Sequence, residues 1–178
     1  MGLDAIRTAI PDYAKDLRLN LGSVITASSL EPAMAWGAAL TVAMVCKSEY
    51  TIQNILEDAR EHLDETHING VKAVAAIMSM SNVWYKFTDL IEDDEVKKHP
   101  PKLRMNVIMN HGGVSQALFE GWSLAASVVN ACGVCINAHT LQMRNQKLIA
   151  QNIVDIGRIA AVVKAVADTL AFDKMITS

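Results

Sequence analysis

A chain of 178 residues is long enough to bury one core without staples. Its formal net charge of -3 and lack of any Lys/Arg cluster withhold the electrostatic footprint that nucleic-acid binding needs. Hydrophobic residues make up 51% and aromatics only 5%, so the apolar content is mostly Ala, Val, Ile, Leu and Met. That favours packed helices over a sheet, and the expected class is all-α.

The start, Met1-Gly2-Leu3-Asp4, opens directly into an amphipathic pattern without the basic stretch and apolar core of a secretory signal, so a cytoplasmic protein is expected. Ser28-Ser29-Leu30-Glu31-Pro32 reads as a helix start, with Ser or Glu available to cap and Pro32 in the first turn, and the helix should reach about Cys46. Residues 49–64 place Ile52, Ile55, Leu56, Ala59 and Leu63 at helical spacing among charges, giving an amphipathic helix. Asn69-Gly70 marks a turn before a buried, nearly uncharged helix over 71–84. The mixed-sign run Glu92-Asp93-Asp94-Glu95-Val96-Lys97-Lys98 is a solvated connector leading to Pro100-Pro101.

In the second half Ser115 caps a helix through Ser127, Asn130 breaks or caps, a further helix carries Cys132-Gly133-Val134-Cys135, and 149–170 forms another buried helix. Residues 121–138 lack charge and superficially resemble a membrane span. Ser123, Ser127, Asn130 and Asn137 interrupt them, however, and Glu120 and His139 bound them, so a buried helical hairpin is expected.

The halves read as a duplication within a single domain, 1–178, with a degenerate repeat at about 28–87 and an active one at about 114–172. Moving the first half by 86 positions sets Trp36 on Trp122, Ala39 on Ala125, Val42 on Val128 and Cys46 on Cys132. In that register Met34 stands opposite Glu120, Glu49 opposite Cys135 and Gln53 opposite His139. Only the second half carries the acid, both thiols and the imidazole.

The three cysteines are too few and odd in number for a secreted disulfide framework, so the close pair points to redox or metal chemistry. Residues three apart on a helix share a face, so Cys132 and Cys135 can form a local disulfide. His139 follows Cys135 by one turn, within reach of its thiol directly or through one water, which makes Cys135 the better candidate nucleophile. A thiol is mostly protonated at neutral pH; the helix N-terminus and His139 are the two local features that favour the thiolate. Glu120, between Phe119 and Trp122 on the preceding apolar helix, gains a partner if it bonds His139 or a shared water. Read alone, it fits a solvated or end-of-helix carboxylate equally well.

The remaining candidates have plainer readings. Cys46 is a small hydrophobe near a helix end. His62 and His67, beside Glu61, Asp64 and Glu65, are surface residues, His99 lies in a loop and His111-Gly112-Gly113 forms a turn. The methionines fill core space.

Around this constellation the chain resembles the alkyl hydroperoxide reductase AhpD family, within the larger carboxymuconolactone decarboxylase-like group. The resemblance lies in a glutamate, eleven residues, CxxC, three residues and a histidine, met here by Glu120, Cys132, Cys135 and His139. It extends to 11–21, 76–83 and Leu103-Arg104-Met105-Asn106, nearly the whole chain. It implies that Cys135 attacks the peroxide and becomes a sulfenic acid, that Cys132 donates a proton and resolves it as a disulfide, and that Glu120 and His139 relay protons. It further implies a homotrimer, alkyl hydroperoxides as substrates, and electron delivery to the peroxiredoxin AhpC. The implied reductant is a dihydrolipoyl group on a 2-oxoacid dehydrogenase subunit, served by dihydrolipoamide dehydrogenase. No tightly bound cofactor, metal, nucleic acid or membrane is expected, and no GxGxxG fingerprint occurs. One departure is Val134, where some members carry a histidine. Two other readings use the same residues: a disulfide relay or adaptor with little peroxidase activity, and a zinc module with Cys132, Cys135 and His139 as ligands beside Glu120 or an oligomer neighbour.

Overall fold

A computed structural model describes residues 2–177 and shows, among them, ten α-helices and no strand: α1 (Gly2–Ala9), α2 (Lys15–Val24), α3 (Pro32–Val45), α4 (Glu49–Ala59), α5 (Glu65–Leu90), α6 (Asp94–Lys97), α7 (Asn106–Met109), α8 (Gln116–Val129), α9 (Gly133–Asn145) and α10 (Ala150–Thr177). The expected all-α class holds.

The core is built where α3 crosses α8, with α5 and α10 each packed against both, α4 against α3 and α9 against α8. The α3 segment 34–43 is buried throughout; its alanines let neighbouring backbones come close, and dispersion contacts accumulate there. Gly37 is required by this crossing, because a Cβ at that position would lie 2.2 Å from the Trp122 indole. Trp122 is fully buried, and its indole N–H donates to the Met34 carbonyl at 3.2 Å, satisfying the one polar atom it takes into the core. The buried Asp155 carboxylate accepts from the backbone N–H and hydroxyl of Ser29, both at 2.8 Å, tying the loop before α3 to α10.

Several boundaries differ from the sequence reading. The helix starting at Glu49 stops at Ala59 rather than near residue 64, because Asp64 caps the next helix, accepting from the His67 N–H. Asn69-Gly70 is not a turn but lies inside α5. Gly70 is there for space, since a Cβ would meet Val114 at 2.7 Å and Trp122 at 3.3 Å. Pro32 begins α3 as expected, but its N-cap Glu31 makes no side-chain capping bond. Ser115 caps α8 through Leu118 N–H.

The relation between the halves also shifts by two positions. Pro32 and Val45 stand 84 places before Gln116 and Val129, and Glu49 stands 84 before Gly133. At the two helix junctions, Ser48 N–H bonds the Ala43 carbonyl as Cys132 N–H bonds that of Ser127. In each, a left-handed residue precedes the next helix, Lys47 (φ 56°) and Ala131 (φ 52°). The offset of 86 is therefore replaced by 84: Trp36 stands opposite Glu120 and Ser48 opposite Cys132, and Cys46 has no cysteine counterpart. The matching Trp and Cys residues were two places out of helical register.

Candidate active site

The turn between α8 and α9 carries the cysteines. Asn130 is the C-cap of α8, Ala131 takes the left-handed conformation, and Cys132 is the N-cap of α9. The CxxC helix therefore starts after Cys132, later than Asn130, and only Cys135 lies within it. The pair still closes: the two Cα atoms are 5.3 Å apart and the sulfurs are bonded in a disulfide, a separation usual for such a bond. The Ile136 N–H reaches back to the Cys132 carbonyl, so the amides of Gly133, Val134 and Cys135 precede the first intrahelical bond. Cys135 thus sits in the first turn, where the helix dipole favours an anion.

Cys132 is fully buried, whereas Cys135 keeps 6% of its surface and lines a cavity of about 260 Å³ together with Met78, Asn82, Tyr85, Ile108 and His139. The two thiols differ in access. Val134 also lines this cavity and is 41% exposed, so it adds an apolar side chain to the wall beside Cys135.

His139 Nδ1 lies 2.7 Å from Glu120 Oε2. The direct bond replaces the alternatives of a water bridge or a solvated carboxylate, for Glu120 is 7% exposed. With Glu120 ionised it can only accept, which puts the imidazole proton on Nδ1 and leaves Nε2 as a base. All four residues singled out in the sequence are therefore brought to one place.

The sequence reading missed the walls. Tyr85, Met78, Ser81 and Asn82 come from α5 and Ile108 from α7; the polar pair Ser81-Asn82, buried in a helix rich in apolar residues, was the one signal. The other candidates lie elsewhere. Cys46 is free and partly buried, and burial, followed by the nearby Asp168, pushes its thiol up. His62 is exposed and stacks on Trp36; His67 pairs with Asp64. His99 is exposed, and His111 opens a single 3-10 turn. Among the described residues no group of three or more His, Cys, Asp or Glu side chains is placed to hold a metal ion, and no helix is long and apolar enough to cross a membrane.

Fold and site together define an all-helical CxxC protein with a carboxylate-oriented histidine beside its accessible sulfur. The profile of the Carboxymuconolactone decarboxylase family matches residues 94–174, which contain all four site residues. The protein named alkyl hydroperoxide reductase AhpD from Rhodospirillum centenum is 48% identical over 170 residues, covering 96% of this chain and 91% of the relative. The protein of that name from Streptomyces coelicolor is 41% identical over 96% of this chain and 95% of its own; that from Maricaulis maris is 40% identical over 96% and 98%. The chain belongs to the alkyl hydroperoxide reductase AhpD family.

Proposed function

We propose that this protein is an antioxidant alkyl hydroperoxide reductase in which Cys135 is the peroxidatic thiol. The observation that carries this reading is the asymmetry of the pair: Cys135 opens with His139 onto an apolar-walled cavity, and Cys132 is sealed behind it. His139, oriented by Glu120, takes the Cys135 proton. The thiolate attacks the terminal peroxide oxygen, the O–O bond breaks, and sulfur is oxidised to a sulfenic acid as the peroxide leaves as an alcohol, reprotonated through His139. Cys132 then attacks the Cys135 sulfur, forming the disulfide and releasing water with the Cys132 proton. A dihydrolipoyl dithiol on a partner protein returns two electrons and two protons to the pair, and AhpC is the peroxiredoxin to which the reduced pair delivers electrons. The setting is the cytoplasm.

The test is NADH consumption with dihydrolipoamide dehydrogenase, a lipoylated subunit and an organic hydroperoxide. Turnover that is abolished by Cys135→Ser supports the assignment; substantial turnover in that variant overturns it. A disulfide relay without peroxidase activity would instead exchange rapidly with the lipoyl partner and react with peroxide far more slowly.

A homotrimer fits the exposed apolar line on α5 formed by Val83, Phe87 and Leu90, spaced one helical turn apart; sedimentation of the purified protein tests it. The repeat reading is supported at the 84-residue register, in which Ser48 and Thr51 occupy the positions of Cys132 and Cys135. Their hydroxyl oxygens lie 2.8 Å apart, and Ile55 replaces His139. The first half then holds an oxygen version of the CxxC turn. Ser48→Cys with Thr51→Cys should close a second disulfide under mild oxidation, and a pair that stays reduced would oppose the repeat.

A further inference from the structure

Asn82 lies in the C-terminal half of α5, 1% exposed and beside the likewise buried Ser81. A buried amide is costly unless its donors and acceptors are matched. Here its Nδ2 donates to Ser127 Oγ at 3.0 Å, and its Oδ1 accepts from Asn130 Nδ2 at 3.0 Å. Both partners belong to the end of α8 that leads into Cys132. The Ser127 carbonyl accepts the Cys132 N–H at 3.1 Å, and Asn130 is the C-cap. One turn along α5, Lys86 Nζ donates to the Asn130 carbonyl at 3.2 Å. Two residues of α5 therefore grip the turn that presents the buried sulfur. Asn82 also lines the cavity beside Cys135.

This turn needs holding. Ala131 has φ 52°, a left-handed conformation that costs a residue with a Cβ more than glycine. Disulfide closure is demanding in geometry, so loosening the Cys132 side lowers the fraction of time its sulfur spends within reach of Cys135.

We propose that Asn82 is a positioning residue for the redox cycle, holding the Cys132 turn through Ser127 and Asn130 so that the dithiol closes rapidly and the disulfide is favoured. Its amide bonds Ser127, Asn130 and the Met78 sulfur rather than either cysteine sulfur. The step it governs is attack of the Cys132 thiol on the Cys135 sulfenic acid, which forms the S–S bond and releases water. The kinetic part of the proposal rests on the peroxidase reading above; the equilibrium part does not.

The experiment compares full-length wild type with Asn82→Ala, Asn82→Asp and Ser127→Ala. The first readout is the dithiol–disulfide equilibrium against dithiothreitol. The second is the rate of disulfide closure relative to sulfenic acid formation after one equivalent of hydroperoxide. Loss of about one net buried hydrogen bond should shift the equilibrium about tenfold toward the dithiol and slow closure more than the peroxide step. Asn82→Asp keeps the acceptor for Asn130 and the volume, so its shift should be smaller than that of Asn82→Ala. Combining Asn82→Ala with Ser127→Ala should add little to Asn82→Ala alone, which already removes the Ser127 bond. An unchanged equilibrium in the folded variants, or additive losses, would overturn the proposal. If Asn82→Ala fails to fold, Asn82→Asp and Ser127→Ala decide alone, a shift in both supporting the brace and no shift in either refuting it. A wild type that shows the equilibrium but no reaction with peroxide would sink the peroxidase reading while leaving the brace standing.

Discussion

Glu120 and His139 sit 19 residues apart on α8 and α9, yet Oε2 and Nδ1 meet at 2.7 Å because the intervening turn folds one helix back against the other. The pair fixes one imidazole nitrogen and leaves the other for proton exchange. Glu120→Gln and His139→Asn should each lower peroxidase turnover on the order of 100-fold, the usual scale for a positioned acid–base group, with helicity unchanged. The double variant should lose little more than His139→Asn alone, since the carboxylate acts through the imidazole. Steady-state turnover with circular dichroism on all three variants checks this; multiplicative losses would mean that the two residues work independently.

Access separates the thiols. With Cys132 fully buried and Cys135 open to the cavity, one equivalent of iodoacetamide added to the reduced protein should label Cys135 before Cys132. Peptide mass spectrometry gives the order directly, and preferential labelling of Cys132 would reverse the assigned roles.

The cavity should discriminate among peroxides by bulk. Ala138 stands on its lining beside Cys135, so Ala138→Leu should raise KM for a bulky organic hydroperoxide such as cumene hydroperoxide more than for hydrogen peroxide. Equal changes for both substrates would show that the peroxide does not enter here.

Close approach at the α3–α8 crossing predicts unequal costs for two glycines. A Cβ on Gly37 would strike the Trp122 ring at 2.2 Å, while one on Gly121 would first meet the Met34 sulfur at 2.2 Å. The indole is held by its bond to the Met34 carbonyl, whereas a methionine chain can change rotamer. Gly37→Ala should therefore cost about 3 kcal/mol or more and Gly121→Ala about 1 kcal/mol, as read from urea unfolding.

Asp155 gives the pH dependence. Burial pushes its carboxyl up, but hydrogen bonds from the backbone and hydroxyl of Ser29, from Gln151 and from Arg158 outweigh this and hold it below the ordinary carboxylate value. The unfolded chain therefore binds this proton more readily than the folded one. The stabilisation is complete above the ordinary Asp value of about 4 and is lost as pH falls through the folded-state value. Asp155→Asn should be less stable than wild type by about 2 kcal/mol at pH 7, with the difference shrinking below about pH 4. Thermal unfolding at pH 7, 5 and 3 measures it; a constant difference would assign the loss to packing.

The all-helical class, the helix starts at Pro32 and Ser115, and the four site residues were legible in the sequence because each rests on a local rule: apolar spacing, a capping side chain, a fixed interval between reactive groups. The chain also determined the chemistry on offer, since no fold could supply a second thiol or an imidazole that these positions lacked. Tertiary structure decided what depends on approach between distant segments. It kept Gly70 inside a helix because Val114 and Trp122 needed its missing Cβ, where the local Asn-Gly pattern favours a turn. It placed the α3–α4 and α8–α9 junctions 84 residues apart, each with a left-handed residue, Lys47 and Ala131, where the spacing of Trp and Cys residues suggests 86. It closed Cys132 off and opened Cys135, and it joined Asn82 to the turn between them. Burial and contact across the core are set by the sum of all packed surfaces, and a linear pattern carries no record of that sum.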